Sequence, residues 1–305
     1  MSVVTEPDTV PVANFEKHRP LLLGVAYRVL GSVVDAEDVL QEAWLRWSRV
    51  DHAGVTDPQS YLVQVVTRLS LDRLRQAKAR REAYVGPWLP EPIPTGPALD
   101  ESAELADSVS MAMLVVMETL SPLERVVFVL REAFEFSFAD IAAMLDRSES
   151  AVRQLARRAR SHVRERRPRF RHDRAVRRKV TERFLAACLG ADIGGLVELL
   201  APDVTLWSDG NGRPGAPRVP VRGARKVGGL LVQGVRKLLA PRSAGEAADA
   251  TGTIVDVNGG PAVLFTEGGS PTAVMVLDID AATDRVADVW LIANPDKLAA
   301  VDGLR

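Results

Sequence analysis

Apolar residues recur at spacings of three and four near the start of the chain. Leu22, Leu23, Ala26, Tyr27 and Leu30 form one set, and Val39, Leu40, Ala43, Trp44 and Trp47 form a second after a break at Gly31-Ser32. This spacing predicts amphipathic helices between residues 15 and 50. Asp35 stands where an N-cap is expected for the second helix, and Glu37, Asp38 and Glu42 give it an acidic exposed face near its positive dipole end. Beyond a loop at 51–56, Asp57-Pro58 couples a capping carboxylate with proline at the first helical position. A long helix is expected from there through Tyr61, Leu62, Val65, Val66, Leu69 and Leu74, turning basic at its far end.

The pattern breaks where five prolines fall between Pro87 and Pro97, which forbids a regular helix and marks a linker. A flexible spacer has no use for Trp88 and Leu89, so these are expected to anchor on a neighbouring domain. Helical spacing resumes over 108–168, with Ser121-Pro122 starting one helix. A short helix at 138–145, a turn at Asp146-Arg147 and a longer helix capped by Ser148 then have the arrangement of a helix-turn-helix. After residue 168 come helices at 173–189 and 193–200. Strand-like runs at 204–207, 262–265, 273–279 and 285–292 follow, which indicates a separate α+β domain.

Charge sharpens this picture. The net charge is only −1, yet residues 147–183 carry fifteen Lys or Arg against four acids, a local +11 that leaves −12 for the rest. That is a concentrated site for a polyanion. No apolar stretch approaches the roughly 18–20 residues of a membrane span, and the first residues lack the basic and apolar regions of a signal peptide, so a cytoplasmic protein with no membrane partner is expected. The one cysteine, Cys188, lies in an apolar run and is expected to be buried and inert.

Three stretches carry a family resemblance. DAEDVLQEAWLRW, from Asp35 to Trp47, resembles region 2.2 of bacterial sigma factors, and SYLVQVVTRLSLDRLRQAKARR after Pro58 resembles regions 2.3 and 2.4. Residues 119–164 resemble region 4, the minus 35 reader. The extracytoplasmic-function (ECF) sigma factors are the family implied. The resemblance implies that Asp35, Asp38, Gln41 and Glu42 meet the β′ clamp helices of RNA polymerase core, that region 4 meets the β flap, and that promoter DNA is the second partner. Arg68, Arg73, Arg75, Lys78, Arg80 and Arg81 would track the minus 10 strand, with the loop at 52–60 lining a base pocket and Tyr61 either core or stacking platform. In the minus 35 reader, Ser148, Glu149, Ser150, Arg153, Gln154 and Arg157 are placed for the major groove, and Arg158 and Arg160 for phosphates. Asp146 stands where such motifs often have glycine, and aspartate tolerates the left-handed conformation needed there.

WLPEP (Trp88, Leu89, Pro90, Glu91, Pro92), SDGNGR (with Asp209, Gly210 and Arg213) and NPDKL (with Asn294, Pro295, Asp296 and Lys297) together resemble the SigJ-type group of ECF sigma factors. That group carries a SnoaL-like domain of the NTF2-like fold after region 4. The implied fold is multidomain, with an all-α region 2 bundle at 1–86, a Pro-rich linker at 87–107, an all-α region 4 helix-turn-helix at 108–168 and a cone-shaped α+β SnoaL-like domain at 169–305. The last domain is implied to pack on the sigma core and regulate it, so that no separate anti-sigma factor is required, in a stress-responsive transcription factor.

Catalysis is not expected. No histidine follows His172, and Asp203, Asp209, Glu267 and Asp278 read as scattered surface or turn carboxylates, with Asp209 in a tight loop. No cofactor and no metal are expected, since no His or Cys cluster exists and the acids lack a calcium-loop spacing. A small ligand in the C-terminal domain is compatible with the fold. The rival reading is a polymerase-independent helix-turn-helix regulator with a ligand-binding or cyclase-like last domain. The acidic helix and the tryptophan-bearing linker discriminate against it, because a repressor needs neither.

Overall fold

The computed structural model describes residues 9–95, 110–166, 173–238 and 250–304, which fall into two compact units. One comprises 1–80 with 116–166, the other 81–115 with 167–305.

The first unit is helical: α1 (Thr9–Leu30), α2 (Val33–Trp47) and α3 (Pro58–Glu82), whose last residues cross into the second unit, then, beyond the short α4 (Met111–Met117), α5 (Pro122–Phe128), α6 (Phe138–Leu145) and α7 (Glu149–Arg166). Helix α2 buries Ala36, Val39, Leu40, Ala43 and Trp47, one face at helical period. Its cap is Ser32, whose hydroxyl accepts from the Asp35 amide, so Asp35 lies inside the first turn and not at the N-cap expected from the sequence. Gly31 (φ 69°) breaks the chain between α1 and α2 in a conformation that costs other residues energy. Ser121 and Ser137 each close a capping box, with Glu124 and Asp140. Inside this unit Arg125, 1% exposed, pairs with Glu118 and donates from Nε to the Arg28 carbonyl at 3.1 Å. Arg28 in turn lies over the Phe134 ring.

The second unit is built on one sheet. Helices α8 (Arg174–Leu189) and α9 (Ile193–Leu199) lead into β1 (Leu200–Asp209) and β2 (Val221–Arg222). Helix α10 (Ala224–Leu238) follows, then β3 (Ala250–Val257), β4 (Gly260–Glu267), β5 (Ser270–Asp280) and β6 (Arg285–Ile292). The strand order is β2-β1-β6-β5-β4-β3, antiparallel except for the parallel β1–β6 pair. Period-2 alternation gives the sheet two buried faces. Val204, Leu206, Val263, Phe265, Ala273 and Met275 pack with Phe184, Leu196 and Val227 of the helices. Val257, Leu264, Val274, Trp290 and Ile292 pack on the other side with Leu89, Met111 and Leu298.

Other features differ from the sequence reading or extend it. Helix α10 and strand β3 were not anticipated: three glycines dilute the first, and TGTIVDV follows residues 239–249, outside the described part. The proline-rich segment, expected to anchor through Trp88 and Leu89, is buried throughout residues 89–95. Its backbone extends the sheet edge: Thr95 N donates to Asp256 O at 2.8 Å, and Asn258 N to Ile93 O at 2.9 Å. The rest of that linker, 96–107, lies outside the described residues. Asp278 is neither surface nor turn. It sits in β5 directly opposite Asp288 of β6, 6% exposed, with Oδ1 unpartnered.

Burial and the Asp288 charge push the Asp278 carboxyl up to about 8. The folded protein therefore keeps a proton that the unfolded chain loses near pH 3.8, so stability falls as pH rises between those values and levels off above them. Asp278→Asn is expected to raise stability at pH 8.5 by about 2 kcal/mol or more and to change it little at pH 4. Urea denaturation of both proteins across pH checks this, and parallel pH profiles would contradict it.

Candidate functional site

On α2, Gln41 and Glu42 are exposed, and Glu42 pairs with Arg46 of its own helix at 2.6 Å. Asp35 and Asp38 both grip Arg73 of α3, at 2.8 and 2.5 Å. Arg73 is thus a strut between two helices, its charge opposed in place, and these carboxylates hold its guanidinium above its ordinary pKa, the Asp35 hydrogen bond contributing most. Of the other basic residues of α3, Arg75 pairs with Asp72, Lys78 is exposed, and Arg68 donates from Nε to the Met144 carbonyl at the end of α6 at 2.8 Å. The Arg80 side chain lies outside the described residues. Tyr61 is half-buried against Trp47, ring centroids 5.7 Å apart, and His52 lies 4.4 Å from the same indole.

The helix-turn-helix turns at Asp146, which adopts φ 52° and ψ 57° at the end of α6. Helix α7 buries Val152, Leu155, Ala156, Ala159 and Val163 and exposes Glu149, Ser150, Arg153, Gln154 and Arg157 together with Arg158 and Arg160. The Ser148 hydroxyl accepts from the Ala151 amide at the start of α7. Arg153 pairs with Glu149 and lies over the Phe138 ring. Arg160 is held by Glu132 at 2.7 Å and Arg158 by Glu124 at 3.2 Å. What remains is an exposed ridge of cations and amide on one helix, the form that a major groove accepts.

The second unit holds a polar clasp that draws together all three of the short motifs singled out in the sequence. Asp209, fully buried at the end of β1, is not in a loop as expected. Its carboxylate accepts from Lys297 Nζ at 2.6 Å, the Leu89 amide at 2.8 Å and the Tyr84 hydroxyl at 2.5 Å. Lys297 also donates to the Leu89 carbonyl at 2.5 Å, so one ion pair satisfies both backbone groups of a linker residue. Asn294 donates to the Tyr84 oxygen at 2.9 Å, and Arg213 donates to the Ala293 carbonyl at 3.0 Å. Lys297 and Arg81 approach the Trp88 ring to 3.8 and 3.4 Å, within cation–π range. Burial draws the Lys297 ammonium below its ordinary pKa against the opposing pull of Asp209, and burial with the Asp209 contact pushes the Tyr84 phenol up.

Sequence reasoning missed Tyr84, Asn258 and Thr95. Tyr84 precedes the linker motif in a polar stretch, and nothing in its spacing marks it. Asn258 fixes the linker through its side chain, which accepts from the Ile93 amide at 3.2 Å. Cys188 is buried, and burial pushes its thiol up to about 12. Among the described residues no group of three or more His, Cys, Asp or Glu converges as for a metal, and no helix is long and apolar enough to cross a membrane.

Comparison with known proteins gives consistent likenesses. Residues 15–80 match the family model for Sigma-70 region 2, and 110–163 that for Sigma-70, region 4. The ECF RNA polymerase sigma factor SigJ of Mycobacterium tuberculosis is 40% identical over 293 residues, covering 94% of this chain and 92% of that one. The probable ECF RNA polymerase sigma factor SigI of the same organism is 33% identical over 295 residues, covering 94% of each. The crystal structure of M. tuberculosis SigJ superposes with a TM-score of 0.74 at 37% identity, covering 96% of this chain and all of that one.

Removing one partner of the clasp strands the other. Asp209→Ala leaves Lys297 buried without its counter-ion and is expected to cost about 3–5 kcal/mol, whereas Asp209→Leu with Lys297→Met costs distinctly less. Urea denaturation of the two variants checks this, and an equal or greater loss in the double variant would contradict it.

Proposed function

The chain belongs to the ECF RNA polymerase sigma factors, and we propose that its C-terminal domain regulates it by holding the segment that joins its two DNA-binding parts. The observation that carries this reading is the Asp209–Lys297 clasp on the Leu89 backbone. A region 2 module and a region 4 module must span two promoter elements at one spacing, so a domain that fixes the chain between them governs how they engage DNA. With the linker clasped by its own C-terminal domain, the chain needs no separate anti-sigma factor for this control.

In this reading α2 faces polymerase core through Gln41 and Glu42, with Asp38 beside them and Asp35 half-buried behind, and the β′ clamp helices supply the matching basic surface. Helix α7 reads the minus 35 element with Arg153, Gln154 and Arg157, near the β flap. Lys78, Arg75 and Arg81 supply charge for the minus 10 strand, and Arg73 serves mainly to brace α2 on α3. No bond is made or broken by this protein.

Because Asp38 has a structural partner, the cleaner test of the polymerase face is Gln41→Ala with Glu42→Lys. Pull-down is expected to show weakened binding to core polymerase with an unchanged circular dichroism melt, and normal holoenzyme assembly would overturn the assignment. Arg153→Ala is expected to cost roughly 1–3 kcal/mol of promoter affinity if its guanidinium reads a base. An equal loss on every DNA sequence would instead make it a phosphate contact. For the clasp, Asp209→Leu with Lys297→Met is expected to change promoter-dependent run-off transcription while preserving core binding, and unaltered transcription would sink the regulatory reading.

A further inference from the structure

A cavity of about 560 Å³ lies in the second unit between α10 and the sheet face that the helices cover, with residues 213–217 along one side. Its walls are largely apolar, built from Leu206, Leu231, Val235, Phe265, Met275 and Leu291. Two features make it more than a packing defect. Ser208, 1% exposed, lines the cavity with a hydroxyl that has no hydrogen-bond partner, and a buried hydroxyl left unpaired costs free energy that a ligand's polar atom recovers. Arg213 and Lys237, both exposed, also line it, against one carboxylate, Glu267, from β4. The Arg213 bond to the Ala293 carbonyl uses one of five guanidinium N–H donors.

We propose that this cavity binds a small amphipathic acid, with its anionic head at Arg213 and Lys237, its apolar body against Leu206, Phe265 and Met275, and a polar atom within reach of Ser208. The size fits, since ligand cavities run from about 300 to 1,000 Å³ and are mostly apolar with a few placed polar groups. Two cations facing one carboxylate favour an anion over a neutral or cationic molecule. A fused-ring acid and a linear acyl acid share this chemistry. Ser208 and Asp209 are adjacent on β1 and face opposite sides of the sheet, so the cavity backs directly on the clasp. Binding itself does not depend on the regulatory reading and is measured without polymerase.

The test is isothermal titration of the full-length protein with 2-naphthoate and, separately, decanoate, against the uncharged 2-naphthamide and 1-decanol. At least one acid is expected to bind at a single saturable site, and its uncharged partner about tenfold more weakly or worse, since charge-assisted hydrogen bonds separate them. The acid that binds identifies the body the cavity prefers. Arg213→Gln with Lys237→Gln should weaken the acid by about tenfold and leave the uncharged probe unaffected. Gly234→Leu should weaken both probes; a Cβ at Gly234 on the cavity wall meets nothing within 4 Å, so leucine enters without a backbone clash and suits the helix better than glycine. No saturable heat from either acid, equal affinity for acid and uncharged probe, or unchanged binding in both variants would overturn the proposal.

Discussion

A carboxylate with no exposure to water needs a positive charge and hydrogen-bond donors at the same depth, and Asp209 finds both in Lys297, Tyr84 and the Leu89 amide. This pair is costly to assemble, because each ion loses its hydration on burial. What it achieves is specificity of place. An apolar patch would accept the linker in several registers, whereas an ion pair whose two ends match the N–H and C=O of one residue accepts a single register. Trp88 over the lysine, and the edge pairing at residues 93–95, extend that register along the segment.

The sheet divides the domain into two faces. Alternation along β1 sends Leu206 and Ser208 toward the helices and the cavity, and Trp207 and Asp209 toward the linker side. The same division continues on β6, where Leu291 lines the cavity and Trp290 and Ile292 back the linker. Arg213 links the two surfaces, since it lines the cavity while bonding to Ala293, whose own amide bonds to the Asp209 carbonyl at 2.7 Å. The cavity and the clasp are thus built on the two faces of the same strands.

In the helical unit, several charges are matched within the protein. Arg73, Arg158 and Arg160 each face a carboxylate of the chain. The Arg160–Glu132 pair is exposed at both ends and contributes little to stability, whereas Arg158 meets a Glu124 that is only 7% exposed. Arg73 is different: with two carboxylates on one guanidinium it ties α2 to α3, which couples the acidic face to the basic helix behind it.

Local chemistry made much of this legible in advance. Helical spacing, the Ser121 and Asp57 caps, the turn at Asp146 and strand β6 are short-range features, each decided by a few neighbouring residues, and the sequence by itself determined them along with the family. It also marked WLPEP, SDGNGR and NPDKL as unusual. Only the tertiary structure decided that these three meet, because Leu89, Asp209 and Lys297 are separated by 120 and 88 residues and no local rule couples them. For the same reason a sequence reading put Asp278 at the surface or in a turn and Asp209 in a tight loop: a carboxylate's burial depends on which strands lie beside it. Helix α10 stayed hidden because its glycines lower helical propensity, and packing of Val227, Leu231 and Val235 on the core outweighs that cost.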